Sequence, residues 1–193
     1  MSQNNFKKFD FVCWENIFSE KEIKNLNNFI EKNYDFIENK EKSATGEKKE
    51  IKKNALVKCI AYFKIKKFIK NLIYQYISFN NKYIGYHLYN HLDNDCCNLN
   101  IYSHKNFQEY DWHIDGDLEP FSDIKLTVLI NLSIKPYTGG NFFIFNNTQY
   151  EIPGLNKPGN MIMFKSFLNH KVMPVITGER RTLSIFLKGP AFK

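Results

Sequence analysis

Apolar residues recur with helical spacing in the first eighty positions and with strand spacing after them. Ile23, Leu26, Phe29 and Ile30 follow Ser19 and Glu22, a capping-box pair in which each side chain can satisfy a free backbone N–H of the first turn. A helix is therefore expected over 19–33. Apolar positions 65, 68, 69, 72, 73, 76 and 77 repeat at i, i+3, i+4, i+7 with lysines between them, which predicts a second amphipathic helix over 65–79. The intervening stretch 38–54, ENKEKSATGEKKEIKKN, is almost wholly polar around Gly46. It reads as a mobile, exposed loop or edge, and it could serve as a lid.

From about Tyr83 the pattern changes to short runs rich in β-branched and aromatic residues: YIGYHLY, NLNIY, YDWHI, IKLTVLINL, NFFIF, YEI, NMIMF, HKVMPV and RTLSIFL. Punctuators such as Gly116, Pro136, Gly139-Gly140, Pro153-Gly154, Pro158-Gly159 and Gly178 separate them. Strands so closely spaced after two helices predict a mainly β fold with supporting α, an antiparallel barrel or sandwich whose helices pack on one sheet. IKLTVLINL and RTLSIFL are apolar on both faces, as strands between a helix layer and a barrel interior should be. At 193 residues the chain has room for one domain, divided into a helical support region over 1–80 and a strand-rich core over 81–193.

Composition narrows the function classes. Hydrophobic residues make up 43% and aromatics 16%, so a disordered or fibrous chain is excluded. No apolar run reaches the roughly 20 residues of a membrane span, and the N-terminus has no secretory h-region, so a cytoplasmic protein without a membrane partner is expected. The net charge of +7 would raise nucleic acid as a partner. Its distribution argues against that: the first eighty residues hold 16 bases and 10 acids, and the remainder 11 and 10. The excess is a lysine-rich helical half. Of the 27 bases only two are arginines, the adjacent Arg180 and Arg181. Cys13, Cys59, Cys96 and Cys97 have no C-x-x-C spacing, and reduced, unliganded thiols are expected.

The chemistry concentrates in Tyr110-Asp-Trp-His-Ile-Asp-Gly-Asp117. On a strand His113 and Asp115 project from one face and Trp112 and Ile114 from the other. An imidazole and a carboxylate on one face can ligate a divalent metal, although an H-x-D alone is common by chance. His170 opens a distant hydrophobic strand and can bring a third ligand to the same barrel interior. Two His and one carboxylate leave three positions open, the arrangement of non-haem Fe(II) oxygenases. His87, His91 and His104 read as structural or solvated. A turn at Thr177-Gly178 would let the strands carrying His170 and Arg180 pair as a hairpin. Alternation then places Arg180, Thr182 and Ser184 on one face, where the guanidinium can grip a carboxylate bidentately with a hydroxyl beside it. Arg181 reads as an ordinary surface residue. Glu109, Asp111, Asp115, Asp117 and Glu119 gather around the candidate cation.

These residues resemble the Fe(II)/2-oxoglutarate-dependent dioxygenases of prolyl 4-hydroxylase type. The resemblance covers about residues 98–190 and rests on His113-x-Asp115, Gly139-Gly140-Asn-Phe-Phe-Ile-Phe145, Pro158-Gly159-Asn-Met-Ile-Met-Phe164 and the block from His170 through Arg180 to Thr182. It implies a double-stranded β-helix, or jelly-roll, core with the N-terminal helices packed on the larger sheet. Carried across by position, His113, Asp115 and His170 match the iron ligands, Arg180 the residue that binds the distal carboxylate of 2-oxoglutarate, and Thr182 and Tyr102 its assistants. Fe(II), 2-oxoglutarate as cosubstrate and O2 follow, with ascorbate as reductant. The chain departs from the family in the glycine-free segment SHKNFQEYDW and in Phe186, where Trp is frequent.

The activity implied is hydroxylation of an unactivated C–H bond with release of succinate and CO2, acting on a prolyl residue of a peptide or protein. The alternatives are a free amino acid or other small metabolite as substrate, or a non-catalytic jelly-roll binding module. A zinc hydrolase on the same triad would leave Arg180 unexplained. Tyr110, Trp112, Asp117 and Tyr137 flank the expected mouth as candidate substrate contacts. Oligomeric state is not encoded in any of these features.

Overall fold

The computed structural model describes residues 9–33, 37–42, 51–93, 95–115 and 123–191. In chain order the elements are β1 (Phe11–Trp14), α1 (Glu20–Asn33), β2 (Ile37–Lys42), β3 (Ile51–Ala61), α2 (Tyr62–Phe79), β4 (Cys96–Ser103), β5 (Tyr110–His113), β6 (Ile124–Asn131), β7 (Thr138–Gly139), β8 (Phe142–Asn146), β9 (Thr148–Glu151), β10 (Met161–Lys165), β11 (Asn169–Val172), β12 (Val175–Thr177) and β13 (Glu179–Lys188). All pairings are antiparallel. One broad layer runs β1-β10-β6-β13-β4-β3, with β2 on the outer side of β3. A smaller layer, β5-β11-β8-β9, joins it through the pairing of Lys53 with Tyr110. The result is a double-stranded β-helix with two helices against its larger sheet.

Two cores follow from this layering. Helix residues Ile23, Leu26, Ile30, Ile65, Ile69, Leu72 and Tyr76 pack on the outer face of the broad sheet, against Leu99, Ile101, Val128, Ile130, Leu183 and Ile185. Between the two sheets lie Tyr102, Leu129, Phe142, Ile144, Ile162, Phe164 and Val172. β6 is buried at every position and β13 pairs with both β6 and β4, which is why their sequences are apolar on both faces.

The capping box forms as read: the Ser19 N–H and hydroxyl donate to the Glu22 carboxylate at 2.8 and 2.7 Å, and Ser19 Oγ accepts from the Glu22 N–H at 3.4 Å. Four other expectations are corrected. The polar 38–54 stretch is not simply a loop, because its two ends are strands β2 and β3 paired with each other, while residues 43–50 lie outside the described set. Backbone pairing with β2, and of Lys53 with Tyr110, supports the polar end of β3 where side-chain hydrophobicity gives no signal, while its apolar end, Leu56–Ala61, pairs with β4. The first eighty residues thus supply three strands as well as the helices. Conversely, YIGYHLY is not a strand. α2 runs into a π-helical turn over Asn80–Ile84 that ends at Gly85, φ 83°. The Asn80 side chain donates to Tyr86 O and accepts from Tyr86 N, so one amide takes the place of a ladder partner. The strands carrying His170 and Arg180 do not pair either: β11 lies between β5 and β8, and β13 between β6 and β4. Finally, Cys59 and Cys96 form a disulfide between β3 and β4, with Cα atoms 5.7 Å apart, leaving Cys13 and Cys97 free. Cross-strand proximity, invisible in the spacing, sets that pairing.

Arg181 is not an ordinary surface residue. Its guanidinium reaches Glu179 at 2.6 Å, Asn27 at 3.0 Å and Glu31 at 2.7 Å, and Lys58, almost wholly buried, meets Glu31 at 3.3 Å. Burial alone would raise the Glu31 carboxyl, but Arg181 and Lys58 hold it below its ordinary range. Helix α1 is thereby tied to the sheet by charge-assisted bonds. Arg181→Ala should lower stability by about 2 kcal/mol, the scale of lost hydrogen bonds to charged groups; thermal unfolding checks this. Alkylation of denatured protein with mass detection should find two reactive thiols before reduction and four after it; four at the outset would contradict the disulfide.

Candidate active site

His113 ends β5 and His170 sits in β11, directly opposite it in the strand register. Asp115 follows two residues after His113, with its backbone N–H on Ser166 O. One ligand atom from each of the three residues lies within 4.8 Å of the others. Asp115 Oδ1 is 3.7 Å from His113 Nε2 and Oδ2 is 3.5 Å from His170 Nε2.

The other ring nitrogens decide which one is left for a ligand. His113 Nδ1 is 2.7 Å from Asp111 O, and His170 Nδ1 is 2.9 Å from Leu168 O. A carbonyl only accepts, so each Nδ1 carries a hydrogen and Nε2 is the nitrogen whose lone pair a neutral ring offers inward. Two imidazole lone pairs and a carboxylate then converge, all acceptors. That arrangement suits a divalent cation, and the backbone carbonyls that fix the rings are the outer support such sites need. Thr127 Oγ1 donates to Asp115 Oδ2 at 2.6 Å. This partner was missed in the sequence, where its only signal was a lone hydroxyl inside the apolar run IKLTVLINL.

Tyr110 stacks on His113, with centroids 3.4 Å apart and planes at 10°. Simple alternation would put Tyr110 on the face of Trp112, away from His113. A bulge reverses this: His170 pairs with His113 while Val172 pairs with Tyr110, so a two-residue step on β11 lies opposite a three-residue step on β5. Trp112 stays on the outer face, under Lys171 Nζ at 4.7 Å and edge-on to Phe145. It does not face the His–Asp–His cluster, which corrects its expected place at the mouth. Tyr137 is occupied elsewhere, accepting from Asn131 and donating to Asn156 O. Asp117 and Glu119 lie outside the described residues. Asp111 bonds the N–H of Trp112, and the Glu109 carboxyl is pushed up by partial burial and by Asp111. Among the described acids only Asp115 enters the cluster.

On the opposite wall Arg180 is fully buried. Its Nη1 donates to Thr182 Oγ1, its guanidinium lies 5.8 Å from the Tyr102 ring centroid, and Tyr102 is its register partner on β4. Gly140, φ 64°, makes room for the stem: a Cβ there would come within 2.9 Å of Arg180 Cδ. Nε and Nη2 have no hydrogen-bond partner among the described residues. A buried cation with two idle donors in a fixed fork fits an anionic, planar group such as a carboxylate.

Residues 97–188 match the 2OG-Fe(II) oxygenase superfamily. The chain carries a 2OG-Fe(II) oxygenase domain. Fe(II), 2-oxoglutarate and O2 are therefore its cofactor and cosubstrates, and the His113–Asp115–His170 triad fits the iron. The oxygenase fold is shared with solved structures of low identity. A viral collagen prolyl hydroxylase from Paramecium Bursaria Chlorella virus-1, in its 2OG complex, has TM-score 0.68 and 16% identity, covering 96% of this chain and 99% of that one. A Trichoplax adhaerens prolyl hydroxylase, in complex with a hypoxia inducible factor oxygen degradation domain peptide fragment, has TM-score 0.63 and 17% identity, covering 96% and 86%. A non-haem α-ketoglutarate-dependent carbocyclase from nogalamycin biosynthesis has TM-score 0.61 and 12% identity, covering 95% and 81%. No curated protein sequence matches the chain. Among the described residues no helix of this oxygenase is long and apolar enough to cross a membrane.

Thr127→Val, which keeps the shape and removes the donor, should weaken divalent metal binding about tenfold, as for other outer-shell partners. Mn(II) titration followed by electron paramagnetic resonance measures it; unchanged affinity in a folded variant would show that Asp115 needs no such support.

Proposed function

We propose that this oxygenase hydroxylates an unactivated C–H bond of a prolyl residue in a peptide or protein. The observation that carries the oxygenase part is the buried Arg180 fork, with Nε and Nη2 unpartnered among the described residues, in the same barrel as the His–Asp–His triad. The prolyl part is supported by the shared fold of several prolyl hydroxylases, one of them solved with a peptide.

In this reading His113, Asp115 and His170 hold the iron, their orientation maintained by Asp111 O, Leu168 O and Thr127. Arg180 would hold the far carboxylate of 2-oxoglutarate through its idle Nε and Nη2 donors. Thr182, whose oxygen already accepts from Arg180, has its own hydroxyl proton left to donate to the same group, and Tyr102 flanks it. Phe142, Ile144, Ile162 and Phe164 line the interior between the sheets and exclude water, which strengthens each of these electrostatic contacts. When bound, Fe(II) with 2-oxoglutarate and O2 supplies the oxidising power that places one oxygen atom in the C–H bond and the other in succinate, with loss of CO2. The surroundings of the triad also explain why a binding module is the poorer reading: a module has no use for two tautomer-fixed imidazoles aimed at one carboxylate.

A small metabolite is the second reading, favoured by the carbocyclase that shares the fold. Peptide and metabolite are separated by incubating the enzyme with Fe(II), 2-oxoglutarate and either a peptide library or a small-molecule extract, then detecting added oxygen by mass spectrometry.

Anaerobic Fe(II) and 2-oxoglutarate should produce a weak visible charge-transfer band, and its absence from folded protein would sink the oxygenase reading. His113→Ala and Asp115→Ala should abolish succinate formation. Arg180→Ala should raise the 2-oxoglutarate concentration for half-saturation at least tenfold, since it removes a charge-assisted bidentate contact; no change would remove Arg180 from the cosubstrate site.

A further inference from the structure

The barrel side of β4 carries Asn98, Asn100 and Tyr102 at alternate positions, because Leu99 and Ile101 between them enter the core beneath the helices. In the pairing with β13, Tyr102 faces Arg180, Asn100 faces Thr182 and Asn98 faces Ser184. Asn100 therefore lies one step along the same wall from the arginine fork. It is 6% exposed.

The amide of Asn100 has a fixed orientation. Its nitrogen donates to Ser184 Oγ at 3.1 Å and, more weakly, to Asn98 O at 3.4 Å. A backbone carbonyl cannot donate, so the amide atom facing Asn98 O is the nitrogen, and Oδ1 points the other way. That oxygen is buried and receives no hydrogen bond from any described residue. A buried acceptor without a donor is costly to keep, and the components already assigned to the barrel do not relieve it. The iron has three protein ligands of its own, and 2-oxoglutarate, ionised at both ends, has acceptors but no donor. Besides water, the component of the reaction left to bring a donor is the substrate.

We propose that Asn100 is a specificity-determining residue whose Oδ1 accepts a hydrogen bond from a substrate N–H beside the ring that is hydroxylated. The proposal rests on the prolyl-oxygenase reading above. A prolyl residue inside a peptide has no N–H of its own, so the donor there is the amide of the residue that follows it. In free proline the donor is the ring ammonium. The chemistry shared by the two sources is an N–H adjoining the pyrrolidine unit.

The test uses the full chain with Fe(II) and 2-oxoglutarate and reads stimulated succinate release. One arm compares capped peptides Gly-Xaa-Pro-Yaa, pooled over Xaa and Yaa, with the same peptides N-methylated at Yaa. The other compares L-proline with N,N-dimethyl-L-proline. In at least one arm the N–H compound should exceed its methylated counterpart by about tenfold or more in kcat/KM, mainly through KM, and the arm that responds identifies the source. Asn100→Leu, similar in volume and lacking the acceptor, should abolish that discrimination while leaving half-saturation of the charge-transfer band by 2-oxoglutarate within about twofold. Equal stimulation by methylated compounds, or no stimulation in either arm while the wild-type band forms, overturns the proposal. A large loss of 2-oxoglutarate affinity in Asn100→Leu would also overturn it, by placing the residue at the cosubstrate. If the variant does not fold, the wild-type comparison of methylated and unmethylated compounds still decides. Failure of the wild-type band is a different result, since it removes the oxygenase reading itself.

Discussion

A guanidinium with no solvent exposure is an expensive object in a protein interior, because desolvation costs several kcal/mol unless the charge is matched. Among the described residues Arg180 has one hydroxyl partner, an aromatic ring beside it and two N–H donors without acceptors. The rest of the barrel makes sense around that constraint. β13 must be central so that Arg180 is buried, Gly140 must lack a side chain so that the arginine stem can pass, and Tyr102 must sit opposite on β4. An anionic, planar group would complete such a site, which is the role proposed above for the cosubstrate's carboxylate.

The neighbouring residue uses the same chemistry for another end. Strand alternation sends Arg180 into the barrel and Arg181 to the opposite face, where Glu179, Asn27 and Glu31 receive it. One strand thus binds the ligand side and the helix layer with consecutive arginines. Lysine, a point charge on a flexible stem, would not reproduce either set of directed bonds. This gives the scarcity of arginine in a lysine-rich chain a structural meaning on both faces of the sheet.

Much of the fold was legible because its signals are local. The capping box at Ser19 and Glu22, the helical period over 65–79 and the two-faced apolar strands around 124–132 and 181–187 depend only on near neighbours. The misreadings have a common physical origin. β2 and β3 are held by backbone pairing in a segment whose side chains give no pattern. The Cys59–Cys96 bond depends on two strands meeting, and in YIGYHLY the backbone of Tyr86 is bonded by the Asn80 side chain, a partner no strand pattern announces. At the site, the metal-ligand candidates His113, Asp115 and His170 could be named from residue type and spacing, and Arg180 from its rarity and its place two residues before Thr182, although the hairpin expected to carry it does not form. The bulge that turns Tyr110 onto His113, and leaves Trp112 outside, could not, since a bulge is defined by what lies across the ladder.

The chain alone determined which groups were available for chemistry: a histidine and an aspartate two residues apart, a distant second histidine, and one of only two arginines two residues before a threonine. These are properties of covalent order and strand period. Only the tertiary structure decided what each group does, because protonation, tautomer and partnership are set by atoms brought from far along the chain. Leu168 O orients His170, Thr127 holds Asp115, Glu31 claims Arg181, and the acceptor of Asn100 remains without a donor once its neighbours on β4 and β13 are in place.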